Sequence, residues 1–281
     1  MFRRRMRAAF RRMLEDSQLF QLAIQMELRA LRAEMAARTP DNPALKGFKA
    51  YSQFDEDGVI EEIFGRIGGG ATFLEIGCGD GLENNTHYLL LKGWRGMWVD
   101  ASSANIERAR ANLPQTVSLD IVQQLIDLAN VNELGRRYLS QFGQVDFLSI
   151  DIDGNDLHIL KAVLKVLRPS VICAEYAAKL RPPIAETVEY DPVRAWTGDD
   201  YHGASLQAYA VALPDYRLVA CNLCGANAFF VRNELAHHFV SYSIVELYQP
   251  ARFHLCPLKV GHPPSYKFLV AALKARHSPA R

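Results

Sequence analysis

The sequence predicts an α/β fold: a mostly parallel sheet with helices on both faces, a C-terminal antiparallel hairpin, and a long amino-terminal helix in front. Three observations predict it. Short apolar runs alternate with helical patterns at βαβ spacing between residues 55 and 175. A glycine-rich turn, Gly77-Cys-Gly-Asp-Gly81, closes the first of those runs. An apolar stripe at three- and four-residue steps crosses residues 1–38 without a Gly or Pro.

Taken in order, Met6, Phe10, Met13, Phe20, Ile24, Leu28, Leu31 and Met35 carry that stripe, and Pro40 and Pro43 end it. Its length and near-heptad spacing leave three readings open. It pairs with another copy or packs on its own body, it contacts a membrane surface or partner, or it frays as an arm. After a linker at 40–50, a helix over 55–67 places Val59, Ile60, Ile63 and Phe64 on one side, and Gly68-Gly-Gly70 stops it. Strands follow at 72–77, 96–100, somewhere in 116–126, 145–151 and 169–175, with helices at 84–92, 103–113, 130–141 and 156–167 between them. Residues 178–203 break the rhythm with prolines, acids and aromatics. A helix over 204–213 precedes two strands, 216–222 and 227–232, joined by a turn at Gly225. The chain thus divides into an Arg-rich helix and linker (1–45), a main domain (46–232) holding the 178–203 insertion, and an extension of loops and one short helix (233–281).

Composition excludes several classes. With 49% apolar and 22% charged residues, the chain can build a core and is not a disordered segment. A net charge of +1 gives no global field for nucleic acid. The charge is uneven, however: residues 1–40 hold nine Arg against four acids, and the first twelve hold six Arg and no acid. Such an arm suits a membrane surface, an acidic protein face or plain solvent. Five cysteines without a regular framework suggest reduced thiols and a cytoplasmic protein, peripheral to a membrane if the arm binds one. No run reaches the ~18 apolar residues a bilayer span requires. Gln18, Gln21 and Gln25 interrupt any signal-peptide core. Cys221-x-x-Cys224 lacks a second ligand pair at matching spacing, so it reads as part of the hairpin, not a zinc site. His237-His238 reads as a solvated face, and Phe229-Phe230 as core.

In an open parallel sheet, ligands bind beyond the carboxyl ends of the central strands. Gly77, Gly79 and Gly81 lie there, and Asp100 ends the second strand, where a carboxylate can accept both hydroxyls of a ribose. A dinucleotide would need G-x-G-x-x-G and a helix amino end for its pyrophosphate. Position 82 is Leu, and Glu75 and Asp80 add negative charge. S-adenosylmethionine carries a sulfonium and an ammonium and no phosphate, so acids suit it. This layout is Rossmann-like.

Several segments carry a family likeness: Tyr51-Ser-Gln-Phe-Asp-Glu-Asp-Gly58, Phe73-Leu-Glu-Ile-Gly-Cys-Gly-Asp-Gly81, Asn84-Asn-Thr86, Gly93-Trp-Arg-Gly96, Asp146-Phe-Leu-Ser-Ile-Asp-Ile-Asp-Gly154, Gly203-Ala-Ser-Leu206 and Cys221-Asn-Leu-Cys-Gly-Ala-Asn-Ala-Phe-Phe-Val231. Through them the chain resembles the FkbM-type S-adenosylmethionine-dependent methyltransferases, a branch of the class I enzymes, over roughly residues 50–232. The resemblance implies O-methylation of hydroxyls, often on sugars or glycosylated metabolites. It implies cofactor contacts at Glu75, Gly77, Gly79, Asp80, Gly81, Asp100 and Asp151, with Ser52, Gln53 and 55–58 covering the cofactor and Asn85 supporting its methionine end. Asp100 stands where such enzymes often carry Glu.

Methyl transfer needs an aligned acceptor and a base for the hydroxyl proton. Asp151 and Asp153 follow the fourth strand and Glu175 ends the fifth, so three carboxylates should converge. They could hold Mg²⁺ or Mn²⁺, or Asp151 could serve as a pocket acid without metal. His158 is the first candidate base and His202 the second, with Asp151 beside them. Asp156 could simply cap its helix, and His158 could be an ordinary helix residue. Asn155, Glu175, Tyr190, Trp196, Tyr201 and His202 are expected to meet the acceptor, the last four from the insertion acting as a lid. Two other readings stand beside this one: a methyltransferase for another small hydroxyl or carboxyl acceptor, and a non-catalytic assembly subunit that works through the Arg-rich helix.

Overall fold

The computed structural model describes residues 17–277, so the start of the helix expected over 1–38, with six of its arginines, lies outside the described residues. The described part is α1, Gln18–Arg38, which stops before Pro40. Ile24, Leu28 and Met35 are buried, and Phe20 and Leu31 pack against them. The stripe therefore faces the body of the chain. Gln21 Nε2 donates to the Pro257 carbonyl at 3.0 Å, and His254 Nε2 stands 3.0 Å from the Glu27 carboxylate. Within the expected linker, Pro43–Lys46 forms a 3₁₀ turn, started by the Asn42 side chain accepting the Ala44 N–H.

The alternation that follows is as expected: α2 Glu56–Ile67, β1 Thr72–Ile76, α3 His87–Leu91, β2 Arg95–Asp100, α4 Ser103–Asn112, β3 Leu119–Gln123, α5 Val131–Phe142, β4 Phe147–Ile150, α6 Asp156–Val163 and β5 Val171–Glu175. After the insertion come α7 Leu206–Ala212, β6 Tyr216–Cys221 and β7 Asn227–Arg232. The seven strands lie in the order β3-β2-β1-β4-β5-β7-β6. Five are parallel, and the hairpin β6–β7 joins antiparallel to β5, with Cys173 opposite Phe229. The fold is a Rossmann-like α/β sheet.

Both faces of the sheet are covered, which is why its strands read as continuous apolar runs rather than as an alternation. Phe73, Trp98, Phe147 and Cys173 face α1, α2 and the C-terminal residues. Leu74, Met97, Leu148 and Ile172 face α5, α6 and α7. The extension holds more helix than expected. Besides α8, Ile244–Leu247, and two 3₁₀ turns, α9 spans Lys267–His277 and buries Leu269 and Leu273 in the core that receives α1. Tyr266, Leu269, Val270 and Leu273 carry the helical spacing of α9, which begins after Pro263-Pro264.

The central pair β1–β4 sets the sheet's functional end. Asp151 N–H donates to the Ile76 carbonyl at 3.0 Å, one residue past the last strand pair. Gly77 follows at φ 90°, and a Cβ there would stand 1.7 Å from the Asp151 carbonyl oxygen. Gly79, at φ 58°, has nothing within 4 Å of where its Cβ would lie. Gly77→Ala should therefore cost more than about 3 kcal/mol in thermal or denaturant unfolding, because backbone must move. Gly79→Ala should cost only the ~1 kcal/mol of left-handed backbone strain. Equal losses would show that the β1–β4 approach is not the constraint.

Candidate active site

At the carboxyl ends of β1, β2, β4 and β5 the structure opens a crevice of about 580 Å³. Of the residues singled out in the sequence, Gln53, Gly77, Gly79, Asp100, Asp151, Asp153, Asn155, Glu175 and Trp196 line it. This is the switch point of the sheet, where the chain leaves β1 toward β2 on one side and β4 toward β5 on the other. The loop after β1 is fixed by backbone and carboxylate together. Gly77 N–H and Cys78 N–H both donate to the Val99 carbonyl, at 2.8 and 3.2 Å. Asp100 takes Gly79 N–H on Oδ2 and Ser102 N–H on Oδ1, each at 2.8 Å. Its carboxylate thus holds the first two strand exits in register and keeps free lone pairs toward the crevice.

Glu75, Ser52, Asn85 and Asp80 sit elsewhere. Glu75 is buried under the loop, where it accepts Asn84 Nδ2 at 2.7 Å, Asn85 N–H at 2.9 Å and the Thr86 hydroxyl. Burial pushes its pKa up to about 7 against those bonds. Asn85 Nδ2 turns to Ser149 Oγ at 3.0 Å. Ser52 is buried against Asp57, whose Oδ2 also gathers the N–H groups of Ala50 and Tyr51 at 2.7 Å. Asp80 points outward and pairs with Arg108 at 2.7 Å. Gly81 is demanded by Trp98, whose ring would lie 2.3 Å from a Cβ. The acids that line the crevice are therefore Asp100, Asp151, Asp153 and Glu175, not Glu75 and Asp80.

A residue the sequence reading passed over, His87, secures the same loop. Its Nδ1–H donates to the Gly81 carbonyl at 2.6 Å, and its ring stacks on Tyr51 at 3.9 Å between centroids. Burial lowers its pKa to about 4, so the ring is neutral.

The acids form the floor. One carboxylate oxygen from each of Asp151, Asp153 and Glu175 lies within 4.8 Å of the others. The loop that presents them is shaped by Asp156, which accepts Ile152 N–H and Gly154 N–H, each at 2.8 Å, and by Asp153 at φ 56°. Asp151 reaches solvent through the mouth, yet the walls strip enough water to push its pKa up to about 8, helped by the charges of Asp156 and Asp153. Glu175 is raised well above its usual range, first by burial and then by Asp151. Its Oε2 is buried without a hydrogen-bond partner, and His202 Nδ1 stands 4.0 Å from it.

The insertion forms the outer wall through Pro192, Arg194, Ala195 and Trp196. It is clasped to the body. Asn155 Nδ2 donates to the Asp191 carbonyl at 2.7 Å, and Tyr190 Oη accepts Leu128 N–H at 3.0 Å. His158 Nε2–H donates to the Val188 carbonyl at 2.8 Å, so this histidine stands behind the wall and does not line the crevice. Tyr201 Oη accepts Glu189 N–H at 3.2 Å, and its ring carries the Arg194 guanidinium at 5.3 Å. Trp196 lies edge-on to His202 at 6.2 Å. Other lining residues, Gln124, Leu125 and Ile126, come from just past β3, the strand whose ends the sequence bounded least well.

No family model matches the chain, and no curated protein matches it in sequence. Among solved structures, the SAM-bound amino pentose methyltransferase CalS10 from Micromonospora echinaspora is similar at 14% identity, over 66% of this chain and 92% of that one, with a TM-score of 0.41. An O-methyltransferase from Bacillus cereus in complex with SAH is similar at 18% identity, over 57% and 74%, with a TM-score of 0.36. The CurJ carbon methyltransferase is similar at 15% identity over 63% of this chain, which spans only 52% of that protein, with a TM-score of 0.39.

The raised Asp151 pKa has a thermodynamic consequence. The folded state keeps a proton that the unfolded chain releases near pH 4, so stability is fully present below that pH and is lost as pH rises to about 8. Asp151→Asn should abolish this loss. Its melting temperature should match the parent at pH 4 and exceed it by roughly 2 °C or more at pH 8.5. A difference independent of pH would contradict the raised pKa.

Proposed function

We propose that the chain is an S-adenosylmethionine-dependent O-methyltransferase acting on a hydroxyl of a carbohydrate or glycosylated metabolite, of the FkbM type. The observation that carries the reading is the acid-lined crevice at the switch point of the sheet. Asp100, Asp151, Asp153 and Glu175 meet there, and the glycine loop is tied down by Asp100 rather than left open for a phosphate. A pyrophosphate would be repelled, whereas a cationic ligand lowers the cost of ionising the acids.

When bound, S-adenosylmethionine supplies an electrophilic methyl on a sulfonium centre. Asp100 would accept the ribose hydroxyls, Gly77 and Gly79 would let the backbone approach, and Asp151 would face positive charge. His202, beside Glu175, is better placed than His158 to take the acceptor's hydroxyl proton, and Glu175 would orient it through Nδ1. Trp196 offers an aromatic face to a sugar, and Asn155 borders the same space. The orphaned Glu175 Oε2 and the three converging carboxylates also fit a hard divalent cation such as Mg²⁺ or Mn²⁺. Asp151, Asp153 and Glu175 would hold it, and it would supply Lewis acidity toward a hydroxyl.

Isothermal titration with S-adenosylhomocysteine tests the cofactor. Binding should be lost in Gly79→Val and weakened about tenfold or more in Asp100→Ala, and kept in Asp80→Ala, whose carboxylate turns to Arg108. No binding to the parent protein would sink the reading. For the chemistry, His202→Ala should lower kcat by about 10²–10⁴ and remove the acidic limb of the pH profile, where a histidine base becomes protonated, while His158→Ala should leave that profile in place. If a divalent cation is used, chelation should stop turnover and Glu175→Gln should raise the metal concentration needed. Full activity in excess chelator would leave Asp151 as a pocket acid.

A further inference from the structure

The helix α1 has a second apolar face that the fold leaves uncovered. At 3.6 residues per turn, Leu19, Leu22, Met26 and Ala33 lie on the side opposite the buried Ile24, Leu28 and Met35. Leu19, Leu22 and Met26 are 79%, 53% and 62% exposed, and Ala30, Ala33 and Ala37 beside them are exposed as well. Such a run is unlike singly scattered surface residues. The only charge on this face is Arg29; Glu27 and Glu34 lie on its flanks. Further toward the amino terminus, the first twelve residues contain six Arg and no acid, interleaved with Phe2, Met6 and Phe10, and Glu15 and Asp16 stand between them and the helix.

We propose that this face docks on an anionic phospholipid surface, with Leu19, Leu22 and Met26 entering the headgroup boundary and Arg29 and the preceding arginines meeting lipid phosphates. Charge decides between the occupants. A second copy seated on the face would enclose Arg29 in an apolar seam, and the face has no acid to receive it. A lipid surface meets both features: apolar residues are buried shallowly, and Arg29 reaches phosphate through its aliphatic stem. Among the described residues no helix is long and apolar enough to cross a membrane, so the contact is peripheral.

The test is flotation of the full chain with vesicles of phosphatidylcholine alone or with added phosphatidylglycerol, at low salt and at ~0.5 M NaCl. The protein should float with the anionic vesicles only and be released by salt. The L22E/M26E variant should bind at least about tenfold more weakly, and R29E should also weaken binding. Both substitutions are on exposed positions, so unchanged melting curves should certify the fold. Equal flotation with both vesicle types, or undiminished binding by both variants, would overturn the proposal. So would a vesicle-independent dimer that L22E/M26E dissociates, which would award the face to a second copy.

Discussion

At the end of β1, Gly77 lies against the Asp151 carbonyl with no room for a side chain. Much of the crevice is arranged around that contact. Up to it, β1 and β4 are hydrogen-bonded neighbours; beyond it, the chain after β1 turns onto the Val99 carbonyl and the chain after β4 turns toward β5. The gap between the diverging segments is the crevice. Asp100 then fixes one rim by binding Gly79 N–H, and Asp156 fixes the other by binding Ile152 N–H and Gly154 N–H. Two carboxylates thus do for the loops what a strand partner does inside the sheet.

The acids on the floor are a different matter. Asp151, Asp153 and Glu175 stand close together, and the largest influences on Asp151 and Glu175 are burial and neighbouring acids. Arg194, the one arginine on the crevice wall, is engaged by the Glu189 carbonyl and the Tyr201 ring. In the proposed reading, their place in a crevice, with the pKa values of Asp151 and Glu175 moved upward by walls and neighbours, suits a positively charged or proton-exchanging ligand. Glu75 and His87 show the contrasting pattern, buried and bonded to loop backbone, and they serve the loop's shape.

Much of this was legible in the residues. The strand and helix order followed from apolar runs broken by glycine and proline, and the convergence of Asp151, Asp153 and Glu175 followed from their places after adjacent strands. What sequence could not supply was direction. Glu75 and Asp80 flank the glycine turn, but one faces inward to Asn84–Thr86 and the other outward to Arg108. His158 is four residues from Gly154, and the turn of α6 carries it behind the insertion instead of into the crevice. His87 left no motif, because a histidine that donates to a loop carbonyl looks in sequence like any helix start. The final helix is longer than the one short helix expected in the extension, and Leu269 and Leu273 bear its period.

The insertion and the acid floor are joined by direct contacts. Asn155 lies between Gly154, whose N–H is held by Asp156, and Asp156 itself, and it grips Asp191 in the insertion through its side-chain amide. Gly154 in turn has no Cβ because the Arg194 stem occupies that space, 2.5 Å from where one would lie. The wall residues from Pro192 to Trp196 are therefore positioned from the same five-residue turn that sets Asp151 and Asp153. In the proposed reading, cofactor charge at the floor and acceptor shape at the wall are consequently read by one segment, 151–156. That explains why so short a stretch carries four polar side chains, each with a different task.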